Sequence, residues 1–314
     1  MDVGISDLRS ASLAGGVLYI TFSVVLFIIS SLVFVILIRH KEFSTVTYRI
    51  IKNMSVACLI QQVIFLLGAV MTLRQDNLNY ILERIAGSLI QYAWTLYMSL
   101  NVTLAIDRML TFVCSHLSNR VSFILIAMSH LHASAHFVVL LLPNFGEVYC
   151  HKGMHCFVWF YEQSKKGSKI IVLFEPWLFL SLELINVVCY FVVLVSLIRM
   201  RMVSSARKQI QSYKMEIRIL MVSVLSFLYE AGLITFLFWG ICFMPMKPLS
   251  VIIINLLWMF DSGVFTIATI IVNKSIRSKF LAILNTHKSS SKISSIKSQI
   301  PTEVRSARND ITLF

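Results

Sequence analysis

The stretch GVLYITFSVVLFIISSLVFVILI, residues 16–38, decides the fold of this chain, because none of its 23 residues carries a formal charge. As a helix it would be about 35 Å long at about 1.5 Å per residue, enough to cross a hydrocarbon core about 30 Å thick. Backbone polar groups in lipid must be satisfied within the chain. An unbroken apolar run of this length therefore predicts a membrane-spanning helix.

Six further apolar runs of similar length follow, each bounded by charged residues, Pro or Asn. They are Asn53–Leu73, Ile85–Ile106, Val121–Pro143, Leu173–Ile198, Ile219–Cys242 and Leu249–Val272. Strands of a membrane barrel would instead alternate apolar and polar residues over about ten positions. We therefore expect an all-α, polytopic membrane protein whose core is a bundle of seven transmembrane helices.

Composition points the same way, because 57% of the 314 residues are apolar, 14% are charged, and the mean hydropathy is +0.79. A soluble domain is nearer a quarter charged, so this chain has too little polar surface to cover a water-facing globule. The net charge of +13 would suggest nucleic acid for a soluble protein. Here the basic residues lie between apolar runs, so we expect a lipid bilayer as their partner and no nucleic acid.

Lys and Arg also predict the orientation of the bundle. With the N-terminus outside, the inner segments hold twenty basic residues and the outer segments hold eight. Cytoplasmic segments are the ones enriched in Lys and Arg. We therefore expect residues 1–15 to be extracellular and not a cleaved signal, since their acidic residues and the length of the run that follows are atypical of one.

The chain changes character after the seventh run. Ile276, Phe280, Leu281 and Leu284 fall on one face of a short helix, between basic residues. This pattern predicts an amphipathic helix on the inner leaflet, with a simple stop-transfer flank as the alternative. The domain formed by the seven spans and this helix would then cover residues 16–284. Residues 285–314 are rich in Ser and Lys, so we expect them to form a disordered cytoplasmic tail.

Three short motifs carry a resemblance to a known family. Asp107-Arg108 stands at the inner end of the third run, in LAIDRMLTF, and resembles the Asp-Arg-Tyr motif of rhodopsin-like receptors with Met109 in place of Tyr. VNKSIRSKF at 272–280 and TYRIIKNMSVA at 47–57 resemble nematode serpentine receptors. The chain is thus similar to nematode chemoreceptors, near classes T, X or XA, in layout over most of its length and in motif only at these pieces.

The chain also departs from the rhodopsin-like pattern. Cys58 stands where the second span would carry an Asp, and Glu83 stands where the third span would offer a cysteine to the outer loop. The usual disulfide of that family therefore cannot form. Cys150 and Cys156 flank a short segment of the long outer connection, and they are the candidates for a local disulfide instead.

The resemblance implies a G-protein-coupled receptor in the plasma membrane of a sensory cell. The sensory cilia are one part of that membrane where it would be found. It would bind an external small molecule and activate a heterotrimeric G protein by a population shift between helix arrangements. In the rhodopsin-like class the matching Arg contacts the G protein when active and pairs with its Asp neighbour when inactive. Asp107 and Arg108 are therefore the switch candidates. The alternative for Arg108 is a plain basic anchor at the inner surface.

Candidates for the ligand pocket follow from the residues themselves. Tyr92, Thr95 and Ser99 recur at i, i+3 and i+7, which is one helical stripe, and Gln91 lies beside it. Polar stripes in a span usually face the bundle, and Gln91, Tyr92 and Thr95 lie in the outer half, where a cavity would open. Trp258 lies in the outer half of the seventh run and is a further candidate for the pocket. The alternative is that it belongs to the belt of aromatic residues at the membrane interface.

Three acids, Glu183, Glu230 and Asp261, lie near the middle of their runs. An Asp at the centre of a spanning helix costs about 2.5–3.5 kcal/mol on insertion scales, so each of them needs a partner or a cavity. They are candidates for ligand contact, and a buried polar network between helices is the alternative. They also suit a cation path, which keeps a membrane transporter or channel as the alternative function.

The fourth run contains His130, His132 and His136, and the last two have metal-ligand spacing. We nevertheless expect hydrogen bonds to neighbouring helices, with no metal and no cofactor, since other His clusters are lacking. No HExxH or GxSxG pattern occurs, so we expect no enzyme. No internal repeat of the kind common in transporters is evident.

Overall fold

The computed structural model describes residues 5–150, 157–203, 214–243 and 247–284, and this part of the chain is helical almost throughout. Its helices are α1 (Ile5–Arg39), α2 (Val46–Arg74), α3 (Tyr80–Val113), α4 (Ser115–Leu141), α5 (Lys166–Val203), α6 (Lys214–Phe238), α7 (Pro248–Val272) and α8 (274–284). Two strands, β1 (Glu147–Cys150) and β2 (Val158–Tyr161), lie between α4 and α5. The predicted seven-helix, all-α class is confirmed.

Six of these helices, α1, α2, α4, α5, α6 and α7, are long and apolar enough to cross a membrane. α3 is 34 residues long but more polar, and every residue from Leu96 to Ala105 is buried. It packs against α2, α4, α5 and α6, while α1 closes the bundle by contacting both α2 and α7. α3 is therefore the central helix, whose polar residues meet protein rather than lipid.

The surface of the bundle is apolar where its helices face outward. On α5, Leu173 is 65% exposed, and Phe174 and Phe191 are each 64% exposed. Large aromatic and aliphatic side chains exposed along a whole helix would be unfavourable in water. The chain is thus a multi-pass membrane protein whose outward faces meet lipid.

The two strands form an antiparallel hairpin at one end of the bundle. Glu147 pairs with Tyr161 and Cys150 with Val158, and the hairpin contacts α3, α5 and α7. A Cβ added to Gly87 of α3 would lie 2.5 Å from the carbonyl oxygen of Glu147, so β1 can approach α3 this closely only at a glycine. We call the end with the hairpin the outer end and the opposite end the inner end.

α8 begins directly after Asn273 and docks on the inner end. The Asn273 Oδ1 accepts hydrogen bonds from the backbone N–H groups of Ser275 (3.1 Å) and Ile276 (3.4 Å), an N-cap. Ile276 is completely buried and Phe280 packs against the same core. Leu281 and Leu284 are exposed. The predicted amphipathic helix is present, and its apolar residues divide between the bundle and the surroundings.

Helix ends differ from the predicted runs at several places. α1 begins at Ile5, so most of segment 1–15 continues the first helix. α5 begins at Lys166, before the predicted start of its run at Leu173. Helical backbone extends past the apolar stretch because its hydrogen bonds do not require lipid. The tail, 285–314, lies outside the described residues.

Candidate functional site

A cavity of about 450 Å³ lies between the hairpin and the outer parts of α3, α5, α6 and α7. Pockets of about 300–1,000 Å³ are typical of small-molecule sites. Gln91 and Trp258, two of the pocket candidates from the sequence, line this cavity. We call it the outer cavity.

Two buried carboxylates line the outer cavity, Glu147 from β1 and Glu175 from α5, which are 2% and 5% exposed. The Glu175 Oε1 accepts hydrogen bonds from the Tyr161 hydroxyl at 2.6 Å and from the Gln91 amide at 3.0 Å. The Glu147 Oε2 has no hydrogen-bond partner in the described part of the chain. Burial raises the pKa of Glu147 well above its ordinary value, and the charge of Glu175 adds to that rise.

Aromatic side chains form much of the remaining wall. Trp94, Trp159 and Trp258 all line the cavity, and they are three of the chain's five tryptophans. The Trp94 and Trp258 rings meet edge to face, with centroids 5.6 Å apart. Trp94 also contacts Phe179 of α5 at 4.6 Å between centroids. Such contacts fix the orientation of the rings around the cavity.

The polar stripe predicted on α3 is real, but it faces α4. Each of its members contacts one of the three histidines: Tyr92 with His130 at 3.3 Å, Thr95 with His136 at 3.2 Å, and Ser99 with His132 at 3.0 Å between hydrogen-bonding atoms. The structure therefore places Tyr92 and Thr95 in a helix contact rather than in the outer cavity. The expected bonding of the histidines to a neighbouring helix is confirmed.

At the inner end, Asp107 and Arg108 form a buried ion pair in which both residues are 1% exposed. The Asp107 Oδ2 accepts from the Arg108 guanidinium at 2.5 Å and from the Thr47 hydroxyl at 2.8 Å. Its Oδ1 accepts from Ser118 at 3.0 Å and Ser122 at 2.6 Å. Asp107 thus ties α3 to α2 and α4, and it holds Arg108 inside the bundle. We call these contacts the inner lock.

Comparisons with known proteins bear on the fold. No protein-family model matches the sequence, and no curated protein matches it. Among solved structures, the crystal structure of squid rhodopsin superposes with a TM-score of 0.69 over 93% of this chain and 93% of its own. This chain has the rhodopsin fold. The identity is 13%, so the likeness concerns the arrangement of the helices and not the chemistry at either end.

The three mid-membrane acids lie inside this rhodopsin-like bundle, and none of them lines the outer cavity. Glu183, Glu230 and Asp261 are buried, and Glu230 is close enough to the other two to interact electrostatically with both. The Asn101 amide donates to Glu230, and Asn186 lies 3.5 Å from a Glu183 oxygen. This arrangement resembles a polar network between helices more than a set of ligand contacts.

Sequence reasoning missed Trp94 of α3, Glu175 of α5 and the residues of the hairpin that line the cavity. Glu147, Trp159 and Tyr161 come from the long connection between the fourth and fifth runs, for which no strands were predicted. The sequence offers only a weak signal there, since EVYC and VWFY are four-residue runs rich in aromatic residues and Val. Cys150 ends β1, whereas Cys156 lies outside the described residues, so their disulfide stays a prediction.

Proposed function

We propose that this chain is a G-protein-coupled receptor that binds a small molecule in the outer cavity and activates a heterotrimeric G protein at the inner end. The observation that carries the proposal is the inner lock, because a buried ion pair often adds little stability over apolar residues of similar size, which favours a switching role for Arg108. The resemblance to nematode serpentine receptors supports a chemosensory role, in the plasma membrane or in sensory cilia.

The contacts of Arg108 give this receptor a two-state element. While Asp107 holds the guanidinium, Arg108 is 1% exposed and out of reach of a protein partner. A ligand in the outer cavity would favour a second arrangement of α3 relative to α2 and α4, in which the pair opens and Arg108 reaches the inner surface. A ligand can shift the equilibrium only by its difference in affinity for the two states.

A transporter or channel is the alternative, and the three mid-membrane acids are the observation that favours it. Carboxylates within a span often mark an ion path. Glu183, Glu230 and Asp261 are each at most 6% exposed, which favours a closed polar network over an open path. Flux of protons or cations through reconstituted protein would decide between the two functions.

The first test is the Arg108→Ala variant in membranes that also contain heterotrimeric G proteins. We expect it to abolish nucleotide exchange on the G protein while the receptor still reaches the membrane. The complementary Asp107→Asn variant loosens the lock, and we expect it to raise exchange without ligand. Exchange is measured with a labelled, non-hydrolysable GTP analogue.

The matched control is Arg120→Ala, which removes another basic residue near the inner end, at an exposed position of α4. If Arg108 were only a basic anchor, both Arg→Ala variants would lower surface expression alike and neither would affect exchange per receptor. Unchanged exchange in Arg108→Ala, at equal surface expression, would contradict the proposed function.

A further inference from the structure

We propose that the outer cavity binds an organic cation, a small molecule with a protonated amine or a quaternary ammonium group, between the carboxylates of Glu147 and Glu175 and the faces of the surrounding tryptophans. This inference deepens the proposed function, since it names the class of ligand that the receptor would take.

The kinds of ionisable residue on the cavity wall are the first argument. Glu147 and Glu175 both line it, whereas none of the described residues that line it is Lys, Arg or His. Two basic residues of the outer end are engaged elsewhere. Arg84 donates to the carbonyl oxygens of the α4 C-terminus, and Lys165 pairs with Glu162 at 2.9 Å. The cavity is thus acidic without a counter-charge among the residues that form its wall.

The missing partner of Glu147 is the second argument, and it is independent of the first. The residue is only 2% exposed and lines the cavity. Its Oε2 is buried and has no hydrogen-bond partner among the described residues. Buried carboxylates normally have hydrogen-bond or charge partners, because losing water without compensation is costly. A cation in the cavity would supply the missing interaction. Glu175 would join it, since its bonds from Tyr161 and Gln91 occupy only one of its two oxygens.

The aromatic wall is the third argument. Trp is the side chain whose face attracts cations most strongly, and Trp94, Trp159 and Trp258 surround the same space. Their indole N–H groups are buried without partners as well. A ligand that also carries a hydroxyl or carbonyl oxygen would use one of these donors. An anionic ligand would face two acids, and a purely apolar ligand would leave both carboxylates unpaired.

Binding of matched probes tests the inference on the full-length protein in lipid nanodiscs. Choline and 3,3-dimethylbutan-1-ol have the same shape, but only choline carries a charge. Tetraethylammonium and benzyltrimethylammonium widen the range of sizes. We expect at least one of the three cations to quench tryptophan fluorescence saturably and to raise the thermal unfolding midpoint, while the neutral alcohol does neither at the same concentration.

Variants assign the effect to the cavity. Glu147→Gln and Glu175→Gln should each weaken cation binding by about tenfold or more, since each removes a buried charge partner. Glu162→Gln is the matched control, because Glu162 is the residue after β2, pairs with Lys165 and does not line the cavity. Trp94→Leu should weaken binding, whereas Trp177→Leu, at a 62% exposed position of α5, should not.

Three outcomes would overturn the inference: equal binding of the neutral alcohol, unchanged binding in both Glu→Gln variants, or no binding of any of the three cations at millimolar concentration. The readout needs no G protein. Cation binding without nucleotide exchange would therefore leave this inference standing and remove the proposed function, and exchange driven by a neutral ligand alone would do the reverse.

Discussion

Glu147 makes cation binding depend on pH, and the direction follows from its surroundings. Burial, with the charge of Glu175, raises its pKa well above the ordinary value, so the empty cavity holds it protonated over a range of pH in which an exposed Glu is ionised. Choline carries a fixed charge and does not titrate. As pH rises through the raised pKa, the carboxylate forms and the affinity for choline increases, by up to about tenfold per pH unit.

Isothermal titration at a series of pH values measures this dependence. Glu175 from α5 and Tyr161 from β2 are titratable groups of the cavity wall that interact electrostatically with Glu147. Burial also raises the pKa of Tyr161, so its phenol stays neutral here. The slope should be shallower in Glu147→Gln, where Glu175 is the one cavity carboxylate left to titrate, than in the unaltered protein. An affinity that falls as pH rises would show that Glu147 does not contact the cation.

Residue roles were the hardest part to predict from the sequence. The periodicity of Tyr92, Thr95 and Ser99 indicated correctly that one face of α3 is not in lipid, yet it could not say which helix that face meets. The neighbour is α4, because its histidines complete the hydrogen bonds. Gln91, one position away, turns toward α5 and Glu175 instead. A helix turns by about 100° per residue, so adjacent positions belong to different contacts.

Elements were predicted more reliably than residue roles, and the exception has a physical reason. Long apolar runs mark spanning helices because lipid leaves the backbone few alternatives. The hairpin consists of two four-residue strands, too short for a periodic signal that stands out in a 30-residue connection. It folds because α3 and α7 give it a surface to pack on, and this surface exists only once the helices are assembled.

The start of α8 gives a prediction for a single element. Asn273 accepts two backbone N–H bonds of its first turn, and losing an N-cap costs about 0.5–2 kcal/mol. We expect Asn273→Ala to speed hydrogen exchange in the amides of 275–284 by about twofold to thirtyfold. The rest of the bundle should exchange as before, since α8 contributes only Ile276 and its neighbours to the core.

Two further variants separate the cap from the other contact of Asn273, in which its amide nitrogen donates to the Tyr48 hydroxyl at 3.4 Å. Asn273→Ser keeps an oxygen that can cap the helix and should preserve slow exchange. Tyr48→Phe removes the second contact while keeping the cap, and it should also leave α8 unchanged. Fast exchange in both Tyr48→Phe and Asn273→Ser would mean that docking on Tyr48 rather than capping sets the stability of α8.

The number of membrane crossings is a property of the whole molecule, and it depends on α3. Six helices qualify as spans by apolarity, and α3 does not. It can be polar because every residue from Leu96 to Ala105 is buried. Its side chains face α2, α4, α5 and α6 and not the lipid. Counting hydropathy alone gives an even number of spans, which would put both ends of the chain on one side of the membrane.

The rhodopsin fold requires α3 to cross, so the two ends must lie on opposite sides. The distribution of Lys and Arg, with twenty residues in the segments predicted to be inside and eight outside, predicts that the N-terminus lies outside the cell. Antibody staining of epitope tags at either end should therefore detect the N-terminal tag in intact cells. The C-terminal tag should be detected only after permeabilisation.

Tags within the connections make this test independent of the ends. A tag in 204–213, where Arg207 and Lys208 lie, should behave like the C-terminus, and one in 151–156 should behave like the N-terminus. Both ends hidden in intact cells, with the 151–156 tag exposed, would mean that an early helix fails to cross. If the C-terminal tag were detected in intact cells and the N-terminal tag only after permeabilisation, the outer cavity would face the cytoplasm. An external ligand could then not reach Glu147, and the proposed receptor function would be wrong.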